Sequence, residues 1–150
     1  MIDNKRFTVI AGWFLRIALA SAFLSAVADR LGMWGPPGAP GVAWGAWEPF
    51  VQYVGYLNWF LPASMHNLIA WVATIVEVVI ALGLLAGWRL RSFAFASGIL
   101  LLMFALAMIF TDGIKGPFDY SVFTASAASF FLAIYSGQGI NKIEHRILND

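Results

Sequence analysis

Four long apolar runs, separated by short polar or glycine- and proline-rich segments, set the pattern of this chain. The clearest is 68–88, LIAWVATIVEVVIALGLLAGW, in which Glu77 is the single ionisable side chain. A run of that length with almost no polar content is typical of a transmembrane helix. No alternation typical of strands is present. The pattern therefore predicts an all-α integral membrane four-helix bundle, with helices at about 7–30, 64–88, 92–111 and 119–137.

The segment 31–63, between the first two runs, has a different character. Its first part, 35–45 (GPPGAPGVAWG), is rich in glycine and proline, which interrupt regular backbone hydrogen bonding. Its second part, 47–60, places apolar residues on one helical face and polar residues on another, with many aromatic rings. Two structures fit this pattern equally: a short helix in the membrane interface, or an ordered loop packed over the end of the bundle.

The composition agrees with one membrane domain over residues 1–150. The chain is 61% hydrophobic and 11% charged, with mean hydropathy +0.78, whereas soluble domains are about a quarter charged. A net charge of +1 and the lack of a nucleic-acid motif argue against nucleic-acid binding. Cysteine is absent, which excludes disulfides, thiol redox chemistry and thiolate metal sites.

The basic residues predict the orientation of the chain in a bacterial inner membrane. One side of the predicted bundle carries six of them, Lys5, Arg6, Arg89, Arg91, Lys142 and Arg146, and the other side carries two, Arg30 and Lys115. Since cytoplasmic loops carry an excess of lysine and arginine, both termini are predicted to be cytoplasmic. The segment 31–63 would then lie outside.

Glu77 carries the functional hypothesis, because a charge in the middle of a bilayer is costly without a partner. Counting about 1.5 Å per residue from the predicted cytoplasmic helix ends puts Glu77 and Arg16 at similar depths, roughly 13–17 Å. The sequence therefore predicts an Arg16–Glu77 ion pair, with His66 three turns before Glu77 on the same helical face. Two interpretations stay open: a pin that fixes helix register, or a polar ligand pocket formed by Arg16, Glu77 and His66.

Other polar residues are predicted at the outer ends of the helices. They would form an extracytoplasmic vestibule above the ion pair, made of Asp29, Arg30, Asp112, Lys115, Asp119 and Tyr120. Asp119 lies at the start of the fourth predicted helix, so we also expect it to cap that helix. A lone histidine among scattered carboxylates lacks the spacing of metal ligands, so no metal site is predicted.

The order of these features resembles the DoxX family of small four-helix bacterial membrane proteins. The resemblance covers about residues 16–133: the helix with Arg16, the Gly/Pro loop, the helix with Glu77, and GIKGPFDYSVFTASAASF at 113–130, its most specific part. It implies association with quinol oxidase, thiosulfate:quinone oxidoreductase or other membrane oxidoreductase complexes. A quinone would be the candidate cofactor, with an arginine donating to its carbonyl oxygen and a glutamate moving its proton. The dithiol chemistry of vitamin K epoxide reductase-type proteins would need cysteines, which this chain lacks.

Three functions follow as predictions. The first is a membrane component of quinone-linked redox chemistry or of an oxidoreductase complex, with a polar pocket around Arg16 and Glu77. The second is a non-enzymatic anchor or assembly subunit, in which the pair sets helix register and the tryptophan-rich loop contacts oxidoreductase subunits or a second copy of the chain. The third is a carrier of a small lipophilic or anionic molecule, for which four spans are few. The sequence leaves enzymatic and non-enzymatic roles open.

Overall fold

The computed structural model describes residues 4–137, and over these residues the chain is all-α, as predicted. No described residue lies in a strand. The helices, in chain order, are α1 (Asn4–Arg30), α2 (Trp47–Leu57), α3 (Ala63–Ala86), α4 (Leu90–Asp112), α5 (Lys115–Asp119) and α6 (Val122–Gly137).

Three of these helices, α1, α3 and α4, are long and apolar enough to cross a membrane. They contain 27, 24 and 23 residues, or roughly 35–40 Å of helix at 1.5 Å per residue. By length and composition they indicate a multi-pass membrane protein. The fourth predicted span corresponds to α6, which is also apolar and is described over 16 residues.

The helices expose much more apolar surface than those of a soluble protein, and they bury several polar and charged side chains in an otherwise apolar core. The outward faces carry large apolar groups, among them Phe14, Trp71, Val79, Phe95, Met103 and Phe131. The inward faces bury Arg16, Arg30, Glu77, Ser97 and Ser129. An apolar surface of this extent would be adhesive in water, whereas lipid tails solvate it.

Small polar residues let α4 and α6 approach closely. Ser97 and Ser129 share a hydrogen bond of 2.9 Å between their hydroxyl groups, and Ser126 donates to the Gly98 carbonyl at 2.8 Å. α3 packs against both α1 and α4, and α1 also contacts α6. Small residues with hydrogen bonds across the contact are what stabilises helix pairs in lipid, where the hydrophobic effect is weak.

The end of α1 lies beside the middle of α3, and α2 covers the N-terminal half of α3. Arg30, the last residue of α1, contacts Thr74 and Glu77. Closer to the start of α3, Phe50 and Val54 of α2 pack with Ala70. The helix predicted as one alternative for 47–60 is thus present, and it packs on the neighbouring helices through buried side chains.

Close contact between α3 and α4 depends on Gly83. A Cβ atom there would lie 2.3 Å from Phe93 Cγ, far inside van der Waals contact. We expect Gly83→Ala to lower the free energy of unfolding in detergent micelles by about 1–3 kcal/mol through overpacking. Gly116→Ala is the matched control, since a Cβ there would be 3.4 Å from its nearest neighbour. Equal stability of the two variants would contradict the α3–α4 contact.

Candidate functional site

Glu77 is paired with Arg30. The two residues are 1% and 3% exposed. Arg30 Nη2 donates to Glu77 Oε1 at 2.9 Å, and Nη1 lies 2.8 Å from Oε2. Nη1 also donates to Thr74 Oγ1 at 2.9 Å, and the Thr74 hydroxyl donates to the Ala70 carbonyl at 2.8 Å. Each charge thereby compensates the desolvation of the other, and the threonine hydroxyl adds a third polar contact.

The predicted pairing of Arg16 with Glu77 is wrong, because the start of α1 and the end of α3 are not at the same level, whereas the depth count assumed that they were. Arg16 is level with the end of α3, so its neighbours are Leu84 and Leu85. Arg30, fourteen residues further along α1, is the arginine near Glu77. Helical side chains point toward the N-terminus of their own helix, so on antiparallel helices Arg30 and Glu77 reach toward each other.

Arg16 caps the C-terminal end of α3. Its Nε donates to the Leu84 carbonyl at 2.8 Å and its Nη2 to the Leu85 carbonyl at 2.9 Å. These carbonyls belong to the last turn, where helices leave acceptors without partners. The guanidinium group also lies 3.8 Å from the Trp13 ring centroid. Gly87, with φ of +72°, leaves it room, since a Cβ there would be 2.5 Å from Arg16 Nη2.

His66, the third candidate pocket residue, lies near the start of α3 and packs against α2. Its Nε2 is 3.2 Å from the Leu61 carbonyl, and a Cβ at Gly55 would be 2.5 Å from its Nδ1. Eleven residues separate it from Glu77, or roughly 16 Å along the helix. Arg16 of α1, Glu77 and His66 therefore lie at three different levels along α3, and the structure does not bring them together.

Asp29 is buried beside the pair and anchors the end of the Gly/Pro loop. Its Oδ1 accepts from the backbone N–H groups of Trp44 at 3.0 Å and Gly45 at 2.7 Å, and its Oδ2 accepts from Ala43 at 2.8 Å. The sequence instead predicted Asp29 as part of the extracytoplasmic vestibule. Its position between a helix end and a glycine-rich loop was the available signal for backbone binding.

Aromatic rings from the segment 31–63 cover Arg30. Its guanidinium carbon lies 3.8 Å from the Phe50 ring centroid and 5.3 Å from that of Trp44. Such stacking adds cation–π attraction, which is stronger when water is excluded. Together with Thr74, these two rings are site residues that the sequence did not reveal, because the ring positions depend on the path of the loop.

The other predicted vestibule residues lie on the surface, apart from the pair. Asp112 accepts a hydrogen bond of 3.1 Å from the Tyr56 hydroxyl, which links α4 to α2. Burial raises the pKa of the neighbouring Tyr53 to about 12, and the negative charge of Asp112 adds to this effect. Tyr120 is exposed. These contacts describe a surface network and do not extend to Glu77.

Asp119 does not cap the fourth long helix, so this prediction is wrong. It is the last residue of α5, and α6 begins three residues later. Its carboxylate pairs with Lys115 one turn earlier in α5, and both side chains are exposed. The short helix α5, which the sequence did not reveal, shifts the start of α6 and removes Asp119 from the capping position.

Two buried polar atoms of the pair have no hydrogen-bond partner among the described residues, Arg30 Nε and Glu77 Oε2. The 2.8 Å contact of Oε2 is thus an ion-pair contact without hydrogen-bond alignment. A buried polar atom without a partner destabilises a protein by about 1–3 kcal/mol. Both atoms are buried, so a small polar group could reach them only if the side chains that cover the pair moved.

The role given to Asp29 predicts a local effect. Asp29→Asn is expected to lower the free energy of unfolding by about 1–3 kcal/mol, because an amide nitrogen would face the Ala43 N–H. Hydrogen exchange should accelerate most at Ala43, whose acceptor is lost. Asp119→Asn is the control, since that carboxylate is exposed. Unchanged exchange at 43–45 in the Asp29 variant would contradict the anchoring role.

Comparisons of the chain with protein-family models, with curated proteins and with solved structures gave no match. Among residues 4–137 no group of three or more histidine, cysteine, aspartate or glutamate side chains is placed to hold a metal ion.

Proposed function

We propose that the chain is a bacterial inner-membrane protein with four spans, α1, α3, α4 and α6, and with both termini in the cytoplasm. Contacts of α6 with both α4 and α1 support its place as the fourth span. The excess of basic residues on the side of the termini supports the orientation.

Within that membrane, the function that the geometry supports best is a non-enzymatic anchor or assembly subunit of an oxidoreductase complex. The observation that carries it is the ion pair between Arg30 and Glu77, closed by Phe50 and adjoining the Asp29 loop anchor. Charges that neutralise each other and hold an outer segment fix structure and do not by themselves form an open pocket. The oxidoreductase setting rests on the resemblance to the DoxX family.

The outer segment presents a partner surface of exposed aromatic and sulfur-containing side chains. Trp59 is 72% exposed and Met33 is also 72% exposed, and Trp34 and Phe60 are more than half exposed. Tryptophan and methionine are enriched in protein–protein interfaces, where they act as anchors. Asp29 binds the backbone of 43–45 and Arg30 contacts the rings of Trp44 and Phe50, so the middle of the segment is already ordered and its binding to a partner would cost less conformational entropy.

A photo-crosslinking residue at position 59, in native membranes, tests the anchor function. We expect crosslinks from position 59 to a protein subunit that contains a redox cofactor. Position 103 is the matched control, because Met103 is similarly exposed on the apolar face of α4 and should react only with lipid. Crosslinks restricted to lipid at both positions would contradict the anchor function.

The unpartnered atoms of the pair favour a second candidate, quinone-linked redox chemistry. Arg30 Nε could donate to a quinone carbonyl, and Glu77 Oε2 could accept a proton from the reduced ring. Arg30 then takes the role that the sequence assigned to Arg16, and α2 must move to admit the ring. The two electrons of the quinol would pass to a redox-active partner subunit, so Glu77→Gln should weaken quinone binding by the purified protein and slow quinol oxidation when that subunit is added. Intact quinone binding and redox activity in that variant would contradict this candidate.

No contact of the Arg30–Glu77 pair favours the carrier function, which stays a prediction from the sequence.

A further inference from the structure

A groove lies between α4 and α6, away from the Arg30–Glu77 pair. It has a volume of about 520 Å³ and is lined by Arg91, Ser92 and Phe95 of α4 and by Phe130, Ala133 and Ile134 of α6. Phe95 and Ile134 are 55% and 62% exposed. The groove therefore opens sideways on the apolar surface of the helices, where a bilayer would meet the protein.

The groove is polar at one end and apolar along the rest. Arg91 and Ser92 belong to the first turn of α4, which begins at Leu90, and Phe95 follows one turn further along. On α6, Phe130 and Ile134 continue the apolar wall. A cation and a hydroxyl above an apolar track match an amphiphile with an anionic head and a hydrocarbon chain.

Arg91 is available to bind an anion. Its side chain is exposed, and no carboxylate among residues 4–137 lies within ion-pair distance of it. By contrast, Arg89 lies 5.2 Å from the Trp88 ring centroid. Trp88 is itself 67% exposed, and amphipathic rings of this kind are favoured at the level of lipid headgroups. Arg91, three residues later, is accordingly near headgroup level.

We propose that this groove binds one anionic phospholipid. The Arg91 guanidinium and the Ser92 hydroxyl hold its phosphate group, because a guanidinium can donate two parallel hydrogen bonds to phosphate oxygens. An acyl chain follows Phe95 and Ile134. The site is independent of whether the protein is an anchor or a quinone-linked subunit.

Native mass spectrometry of the purified full-length protein tests the site. The probes are phosphatidylglycerol and phosphatidylcholine with identical acyl chains, titrated separately. We expect the wild-type protein to prefer phosphatidylglycerol, and Arg91→Gln to weaken phosphatidylglycerol binding by about fivefold, as expected for the loss of one basic residue at a lipid surface. Arg89→Gln is the matched control, since it removes the same charge two residues before Arg91 and outside the groove.

Two results would overturn the proposal. If the Arg89 and Arg91 variants lost the same amount of phosphatidylglycerol affinity, general surface charge would be what attracts the lipid. Equal wild-type affinity for both lipids would show that the headgroup is not recognised. Both arginines are exposed and make no ion pair with a described residue, so both variants should fold. The melting temperatures of the two variants test whether they are folded.

Discussion

Replacing Glu77 with leucine is expected to lower the free energy of unfolding by about 3–5 kcal/mol, because Arg30 would be left as a buried charge without its counter-ion. Arg30→Met should have an effect of the same size for the same reason. The double variant, Arg30→Met with Glu77→Leu, should recover most of the stability, since apolar side chains of similar volume need no partner. Equilibrium unfolding in detergent micelles measures all three.

The exposed Lys115–Asp119 pair is the control for this experiment. Lys115→Met should change the free energy of unfolding very little, because exposed ion pairs are screened by water. A Glu77→Leu variant as stable as the Lys115 variant would contradict the buried pair. So would a double variant that is less stable than either single variant.

Arg16→Met is expected to lower the free energy of unfolding by roughly 3 kcal/mol, since it removes two charged hydrogen bonds to the last turn of α3. The effect should be concentrated at that end, with faster hydrogen exchange at Gly87, whose N–H bonds to the Gly83 carbonyl. Arg89→Gln, a change of an exposed arginine close by, is the control. Hydrogen exchange that accelerates around Glu77 and not at Gly87 would contradict the capping role of Arg16.

Much of the fold could be predicted from the sequence, because hydropathy and helix length depend on composition within each run. The run 92–111 corresponds to α4 within two residues at its start and one at its end. The same reasoning placed Glu77 inside the protein, since lipid does not tolerate a lone carboxylate. Arg16 is likewise buried, as its place in an apolar run suggests.

The partner of Glu77 could not be predicted, because hydropathy does not determine how far two helices are shifted along their axes. The prediction counted the depths of Arg16 and Glu77 from helix ends that were assumed to lie in one membrane plane. In the structure, Arg16 is level with Leu84 and Leu85. Because of this shift, the arginine that pairs with Glu77 is Arg30, fourteen residues after Arg16. The shift also leaves the N-terminal half of α3 without a neighbour from α1, and α2 covers it there.

Contacts between a side chain and a loop backbone could not be predicted from the sequence, for a related reason. Asp29 meets the N–H groups of 43–45 because the intervening loop turns back on itself. Gly45 permits this path with φ of +67°, since a Cβ there would lie 2.5 Å from Pro37 N. Glycine and proline in 35–45 indicate a turn, but they do not specify where it ends.

Two double-mutant cycles test most directly whether Arg30 is the partner of Glu77. One combines Glu77→Leu with Arg30→Met, and the other combines Glu77→Leu with Arg16→Met, each measured by unfolding in detergent. We expect a coupling energy of roughly 2 kcal/mol or more in the first cycle, and additivity within about 0.5 kcal/mol in the second. Coupling between Arg16 and Glu77, with additive effects of Arg30 and Glu77, would contradict the structure of the site.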